Sequence, residues 1–177
     1  LARELGDWLP ADPELEFVKS AVHGGGRWLH FSQAHDGIPV FNSRVTVRMT
    51  NDGRVTQVTN LAYPRLDVST TPAVSADRAA TFAGLDLPAG VEPLKAPELT
   101  ILPVERSTGD DFHLAWRVEF STITPPGHWI TFVDAGTGAI LWRFNNVRFA
   151  EVTGTVRGDI ELERQNDIFS DRGLPYV

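Results

Sequence analysis

Turn signals set between runs of alternating apolar residues constrain this chain more than any other feature. They are Gly24-Gly25-Gly26, Asp36-Gly37, Asn51-Asp52-Gly53 and Asp134-Ala135-Gly136-Thr137-Gly138. Asp-Gly between apolar stretches is a strong hairpin signal, because the tight turns that match strand twist need positive φ. The stretches between the first three signals therefore read as antiparallel strands: ELEFVKSAV, RWLHFSQAH, IPVFNSRVTVRMT and RVTQVTNL. Val45, Val47 and Met49 alternate with Arg44, Thr46, Arg48 and Thr50, the period of two expected of a strand with one wet face. Val55 and Val58 break that period and predict a bulge.

A proline-bracketed connection, Tyr63 to Pro72, separates this meander from the second half of the chain. Ser75 is placed to cap a short helix over 76–83, with Asp77 in its first turn, where the helix dipole favours negative charge. Ala76, Ala79, Ala80 and Ala83, with Phe82, give that helix a small-residue face that can lie close on a sheet, and Gly84 and Pro88 stop it. Four more strands come after it: ELTILPVE, DFHLAWRVEF, HWITFVD and AILWRF. Leu114, Trp116, Val118 and Phe120 share one face, and His113, Ala115, Arg117 and Glu119 the other. The expected fold is α+β, with two small antiparallel-sheet subdomains. The second is cystatin-like, a helix packed on a four-stranded meander. The boundaries read as 1–66, 67–150 and 151–177, the last an extended linker or the start of a further module. Leu1, Leu5, Trp8 and Leu9 keep helical spacing at the beginning, and these first residues do not read as a signal peptide.

Composition narrows the function by exclusion. With 42% hydrophobic residues, ten Phe and five Trp, the chain can bury a core. A net charge of −7, with arginines such as Arg44, Arg48, Arg54 and Arg117 scattered singly, argues against nucleic acid. No apolar run approaches the roughly 20 residues of a membrane span, so membrane insertion is not expected. The absence of cysteine removes disulfides, thiolate metal sites and thiol nucleophiles together. None of His23, His30, His35, His113 and His128 belongs to an H-E-x-x-H pattern, and neither a G-x-S-x-G elbow nor a phosphate-binding loop is present. His30 and His35 read as strand and turn histidines rather than ligands. Asp110-Asp111, and Glu14 with Glu16, read as solvated charges rather than acid–base pairs. No catalytic, cofactor-binding or metal-ligating residues are expected. Trp116, Trp129 and Trp142 are candidates for an aromatic platform, with core packing the commoner use of strand tryptophans.

Two local patterns resemble known families. Residues 30–61, with Phe31, Gln33, Gly37, Ile38, Pro39, Val40, Phe41, Asp52, Gly53 and Val55, resemble the fungalysin/thermolysin propeptide (FTP) motif. Residues 75–144, through the alanine helix, Leu114-Ala115-Trp116-Arg117-Val118 and the stretch from Trp129 to Leu141, resemble a PepSY domain. The pair implies the pro-region of a secreted zinc metalloprotease, an intramolecular chaperone and inhibitor removed by proteolysis. Its partner would be the cognate catalytic domain, which would hold the zinc, and no cofactor is expected in this chain. The resemblance points to the segment after the last hairpin, about 145–156, as the blocking element. Asn145, Asn146, Val147, Arg148 and Phe149 would then contact the partner, with Trp129 and Trp142 beside them. The alternative is a PepSY-type module of a secreted or cell-surface protein that binds a peptide or another domain.

Overall fold

The computed structural model describes residues 14–106 and 109–147. The helical spacing at Leu1–Leu9, Arg148, Phe149 and the stretch 151–177 lie outside the described residues. Two antiparallel sheets carry the described fold. The first contains β1 (Glu14–His23), β2 (Gly26–His35), β4 (Val45–Met49) and β5 (Val55–Asn60), in the order β1-β2-β4-β5, with the short β3 (Ile38–Pro39) paired to β2. The second contains β6 (Glu98–Arg106), β7 (Gly109–Ile123), β8 (Pro126–Asp134) and β9 (Ile140–Asn145), in sequence order. Between them in the chain, among the described residues, stands one helix, α1 (Ala76–Gly84).

The turns form where glycine and Asp-Gly stand. Gly24 and Gly25 (φ 58° and 73°) close β1 onto β2, and Asp36 and Gly37 (φ 50° and 75°) close β2 onto β3. On β4, Val45 and Val47 are wholly buried, packed with Leu15, Leu29, Phe31, Val55 and Val58. The bulge expected near Val55 is present, as a register shift opposite Arg48 and Met49. Thr46, on the nominally wet face, is buried as well, with its hydroxyl 3.2 Å from His30 Nδ1.

One expectation changes. The stretch from Ile38 to Thr50 reads in sequence as one strand, whereas the chain breaks at Asn42, which takes φ 58°. The Ser43 hydroxyl holds that break, accepting from Gln33 N (3.0 Å) and donating to Val40 O (2.8 Å). Ile38 and Pro39 stay paired to β2, and Val40-Phe41 is laid on the edge of the second sheet. Val40 forms a parallel bridge with Ile101, Phe41 N donates to Ile101 O (2.8 Å), and the Thr100 hydroxyl donates to Pro39 O (2.9 Å). Successive side chains of an extended segment point to opposite faces. Val40 accordingly packs with Ile101, Leu114 and Ala135, and Phe41 with Leu102, Ala115, Ile130 and Phe132. A second tie is the buried Gln33 amide, which both donates to Tyr63 O and accepts from Tyr63 N, each at 2.9 Å. It fixes Tyr63 edge-on against Phe112 of β7, with centroids 5.1 Å apart.

Helix α1 begins at Ser75, whose hydroxyl accepts from Arg78 N (3.4 Å). Ala79 and Ala83 are wholly buried against Val118, Phe120 and Val133. Its C-terminal end is satisfied from outside the helix: Arg143 of β9 donates to Ala83 O (2.6 Å) and, through Nε, to the Thr131 hydroxyl (3.0 Å). Such side-chain donors satisfy carbonyls that a helix end leaves free.

Because Phe41 is half-buried between the sheets, Phe41→Ala should cost about 2 kcal/mol of stability. Leu61→Ala, at a half-exposed position, should cost less than about 0.5 kcal/mol. Urea denaturation of the two variants checks both values.

Candidate functional site

Helix α1 covers one face of the second sheet, and the opposite face is the candidate site. Residues sharing that face are paired across the strands as Arg117↔Phe132↔Trp142 and Glu119↔Ile130↔Phe144. Phe41 meets Phe132 edge-on at 4.7 Å, Phe132 stacks on Trp142 at 5.7 Å, and Trp142 contacts Phe144 at 4.5 Å. The base of this aromatic row is buried, with Phe132 at 0% exposure, whereas Trp142 at its outer edge is 45% exposed. An aromatic side chain held by its neighbours yet open to solvent is the usual form of an interface anchor.

Beside the aromatics lies an ion network. Glu119 meets Arg117 (2.7 Å), His128 (2.9 Å) and Lys95 (3.3 Å), and Lys95 also reaches Glu98 at 2.8 Å. Burial works against ionised Glu119, but His128, Lys95 and Arg117 outweigh it and hold its carboxyl below the ordinary value. Arg117 Nε is buried with no hydrogen-bond partner among the described residues. At the other end of the sheet, burial likewise opposes the charge of Asp134. The Thr137 N–H and hydroxyl, His113 and the Gly136 N–H together bring its pKa below normal. Those bonds form the Asx-type turn expected at Asp134.

The structure separates the residues that the sequence singled out. Trp129 is on the helix-covered face, packed against the cluster around Val118 and Phe120, with Nε1 donating to the Thr122 hydroxyl at 3.0 Å. Trp116 is on that face too, donating to Val74 O at 2.7 Å. Only Trp142 belongs to the open face, so the three tryptophans do not form one platform. Asn145 ends β9 with its amide engaged: Oδ1 accepts from His128 N and Val147 N (both 3.0 Å), and Asn146 N donates to His128 O at 2.7 Å. These contacts hold Asn145 and Asn146 against the start of β8. Asp110 and Asp111 stand at the exposed start of β7, and the Glu14 carboxylate accepts from Gly37 N at 3.4 Å. Among the described residues no group of three or more His, Asp or Glu is arranged to hold a metal ion. No helix among them is long and apolar enough to cross a membrane. Sequence reasoning missed Arg143 as the helix-end donor and Phe41 as the bridge to the aromatic row. Both depend on partners far away in the chain.

Residues 20–60 match the family described as the Fungalysin/Thermolysin Propeptide Motif. Neutral protease B of Bacillus subtilis (strain 168) is 30% identical over 155 residues, covering 82% of this chain and 28% of that protein. Thermolysin of Alicyclobacillus acidocaldarius subsp. acidocaldarius is 31% identical over 137 residues, 71% of this chain and 24% of that protein. The chain thus spans about a quarter of the length of these curated relatives. Among solved structures, the Bacillus megaterium YpeB C-terminal domain aligns with a TM-score of 0.42 and 18% identity, over 75% of this chain and 56% of that one.

Carboxylates whose folded pKa is depressed stabilise the fold above their ordinary values and lose that contribution as pH falls through the folded value. For Glu119 and Asp134 the ordinary values are 4.5 and 3.8. The urea midpoint should therefore fall between about pH 5 and about pH 3. The double variant Glu119→Gln/Asp134→Asn should show a lower midpoint at neutral pH and a shallower fall on acidification.

Proposed function

Since the chain is a pro-region of the thermolysin-like metalloprotease type, we propose that it serves as intramolecular chaperone and inhibitor of a zinc-dependent catalytic domain, and is itself non-catalytic and removed by proteolysis. The observation that carries this reading is the position of the propeptide motif. Its Val40-Phe41 pair reaches the edge of the second sheet, so the motif joins the two sheets rather than forming one hairpin alone.

The physical logic is one of linkage. A scaffold that binds only the folded form of a protease stabilises that form by mass action. A covalent connection raises its effective concentration to roughly millimolar, so moderate contacts suffice until the connection is cut. In this reading residues 1–66 form the FTP-type subdomain and 67–150 a PepSY-type subdomain of cystatin-like shape. Residues 151–177 are an extended linker or the start of a following module, and the precursor is secreted. The partner contacts assigned to Asn145, Asn146, Val147, Arg148, Phe149 and Trp142 belong to the same proposal. Trp129 serves it indirectly, as a support for the exposed hairpin beside it. The exposed Trp142 also suits a second reading, a free-standing module that binds a peptide or another domain. A catalytic domain encoded downstream in the same gene separates the two.

The purified chain, added in equimolar amount to the catalytic domain of its own precursor, should slow peptide hydrolysis at least tenfold, and proteolysis of the chain should restore the rate. Unchanged hydrolysis at a large excess of chain would rule out inhibition.

A further inference from the structure

One face of the first sheet is apolar and the other polar. Register sets Phe31 beside Val45, Leu29 beside Val47 and Val58, and Met49 beside Val55 on the apolar face, with Leu15 of β1 in the same cluster. The opposite face carries Lys19, His30, Thr46 and Thr59 in one row and Arg48 with Gln57 in the next. Helix α1 is engaged elsewhere, on β7 and β8. Among the described residues, the apolar partners of Val45 and Val47 are side chains of the same strands, together with Ala62 just after β5.

Neighbours on one sheet face screen each other's flanks and leave the outer ends open, so the face becomes dry only under a second layer. Val45 and Val47 are nevertheless 0% exposed. They stand about 6.8 Å apart along β4, more than one alanine covers. Their burial requires a cover beyond the described residues. It lies over β4 and its neighbours, because Phe17 and Val22, on the same face of the edge strand β1, are 60% and 71% exposed.

The segment before β1 has the matching chemistry. Leu1, Leu5, Trp8 and Leu9 recur at i, i+4, i+7 and i+8, one stripe of a helix, and Arg3, Glu4 and Asp7 fall on its other side. Pro10 closes the pattern. A helix over 1–9 would be about 13 Å long, and the span from β2 to β5 is roughly 10 Å, so it suffices to cover β4 and both neighbours. A helix this short is marginal alone and needs an apolar surface to form. Leu9 is six residues from Leu15, whose side chain is already in the cluster. At no more than about 3.6 Å per residue, Leu9 stays within roughly 22 Å of it. So short a tether favours this segment over any separate partner for the same face.

We propose that residues 1–9 dock as an amphipathic helix on the apolar face of the first sheet, with the stripe of Leu1, Leu5, Trp8 and Leu9 over Val45, Val47 and Val58. The inference does not depend on the pro-region reading, but it limits where a catalytic domain can bind. A face filled from within is closed to an outside partner, whose contacts then lie elsewhere on the chain.

The sequence has no cysteine, so an introduced pair reports one contact alone. In the whole chain under mild oxidation, Leu5→Cys/Val58→Cys should form an intrachain disulfide at least tenfold more than Leu5→Cys/Thr59→Cys, whose second site is on the polar face. A cooperative urea transition under reducing conditions shows that both variants fold, and Val55→Cys replaces Val58→Cys if that pair does not. Leu5→Asp/Trp8→Asp should lower the urea midpoint and raise the fluorescence of a dye that binds apolar surface several-fold. Equal disulfide yields from the two pairs, or none from the first, would overturn the inference. A disulfide joining two chains would assign the face to a second copy and overturn it too. So would a Leu5→Asp/Trp8→Asp variant with the midpoint and dye binding of the parent.

Discussion

The contact between Val40-Phe41 and the β6 edge is the constraint on which the rest of this structure depends. Two residues extend the second sheet by a bridge and send one side chain to each of its faces. Without it the two small sheets would share mainly Ile38 against the Ile101 cluster, the Thr100–Pro39 hydrogen bond and Tyr63 against Phe112. Sheets of this size bury too little apolar surface to be robust alone. The break at Asn42-Ser43 makes the contact available, so a local backbone preference determines whether the molecule is one body or two.

That arrangement gives the second sheet two unlike faces. Helix α1 closes one with alanines, tied down by Arg143 at its end and by the Trp116 hydrogen bond to Val74 before its start. The other carries an aromatic row seeded by Phe41 from the first sheet and ended by the exposed Trp142, next to ion pairs centred on Glu119. The long β7–β8 hairpin projects from one end of the sheet, with Asn145 and Asn146 bonded beside it. Stiff elements carrying exposed apolar side chains suit recognition of a folded partner better than chemistry on a small molecule.

Much of this was legible in the sequence, for identifiable reasons. Asp36-Gly37 and Asp134–Gly138 dictate their turns through backbone geometry alone, and the alternation around Val45 and around Val118 fixes which side chains go inward. The capped alanine helix was equally local. What escaped involves partners remote in sequence. Thr100 bonds Pro39 across 61 positions, and Arg143 reaches Ala83 across 60. Ile38 and Pro39 pair with β2 as their hairpin predicts, but Val40 and Phe41 continue onto the edge of the second sheet. Trp129 and Trp142 divide between faces because of the β8–β9 register, which contains a shift at Phe132 and Val133 that no local pattern announces. The segment after Phe144 was identified only by resemblance. Its described part, Asn145 to Val147, is hydrogen-bonded into the sheet end.

Refolding bears most directly on the central claim that this scaffold acts on a protease domain. The denatured catalytic domain of the same precursor would be diluted into native buffer with and without equimolar chain, and active enzyme measured after the chain is digested away. A folding template predicts a several-fold higher yield with the chain present, and loss of that gain when Phe41→Ala loosens the contact between the sheets. Equal yields with and without the chain, under conditions where the chain itself is folded, would contradict it.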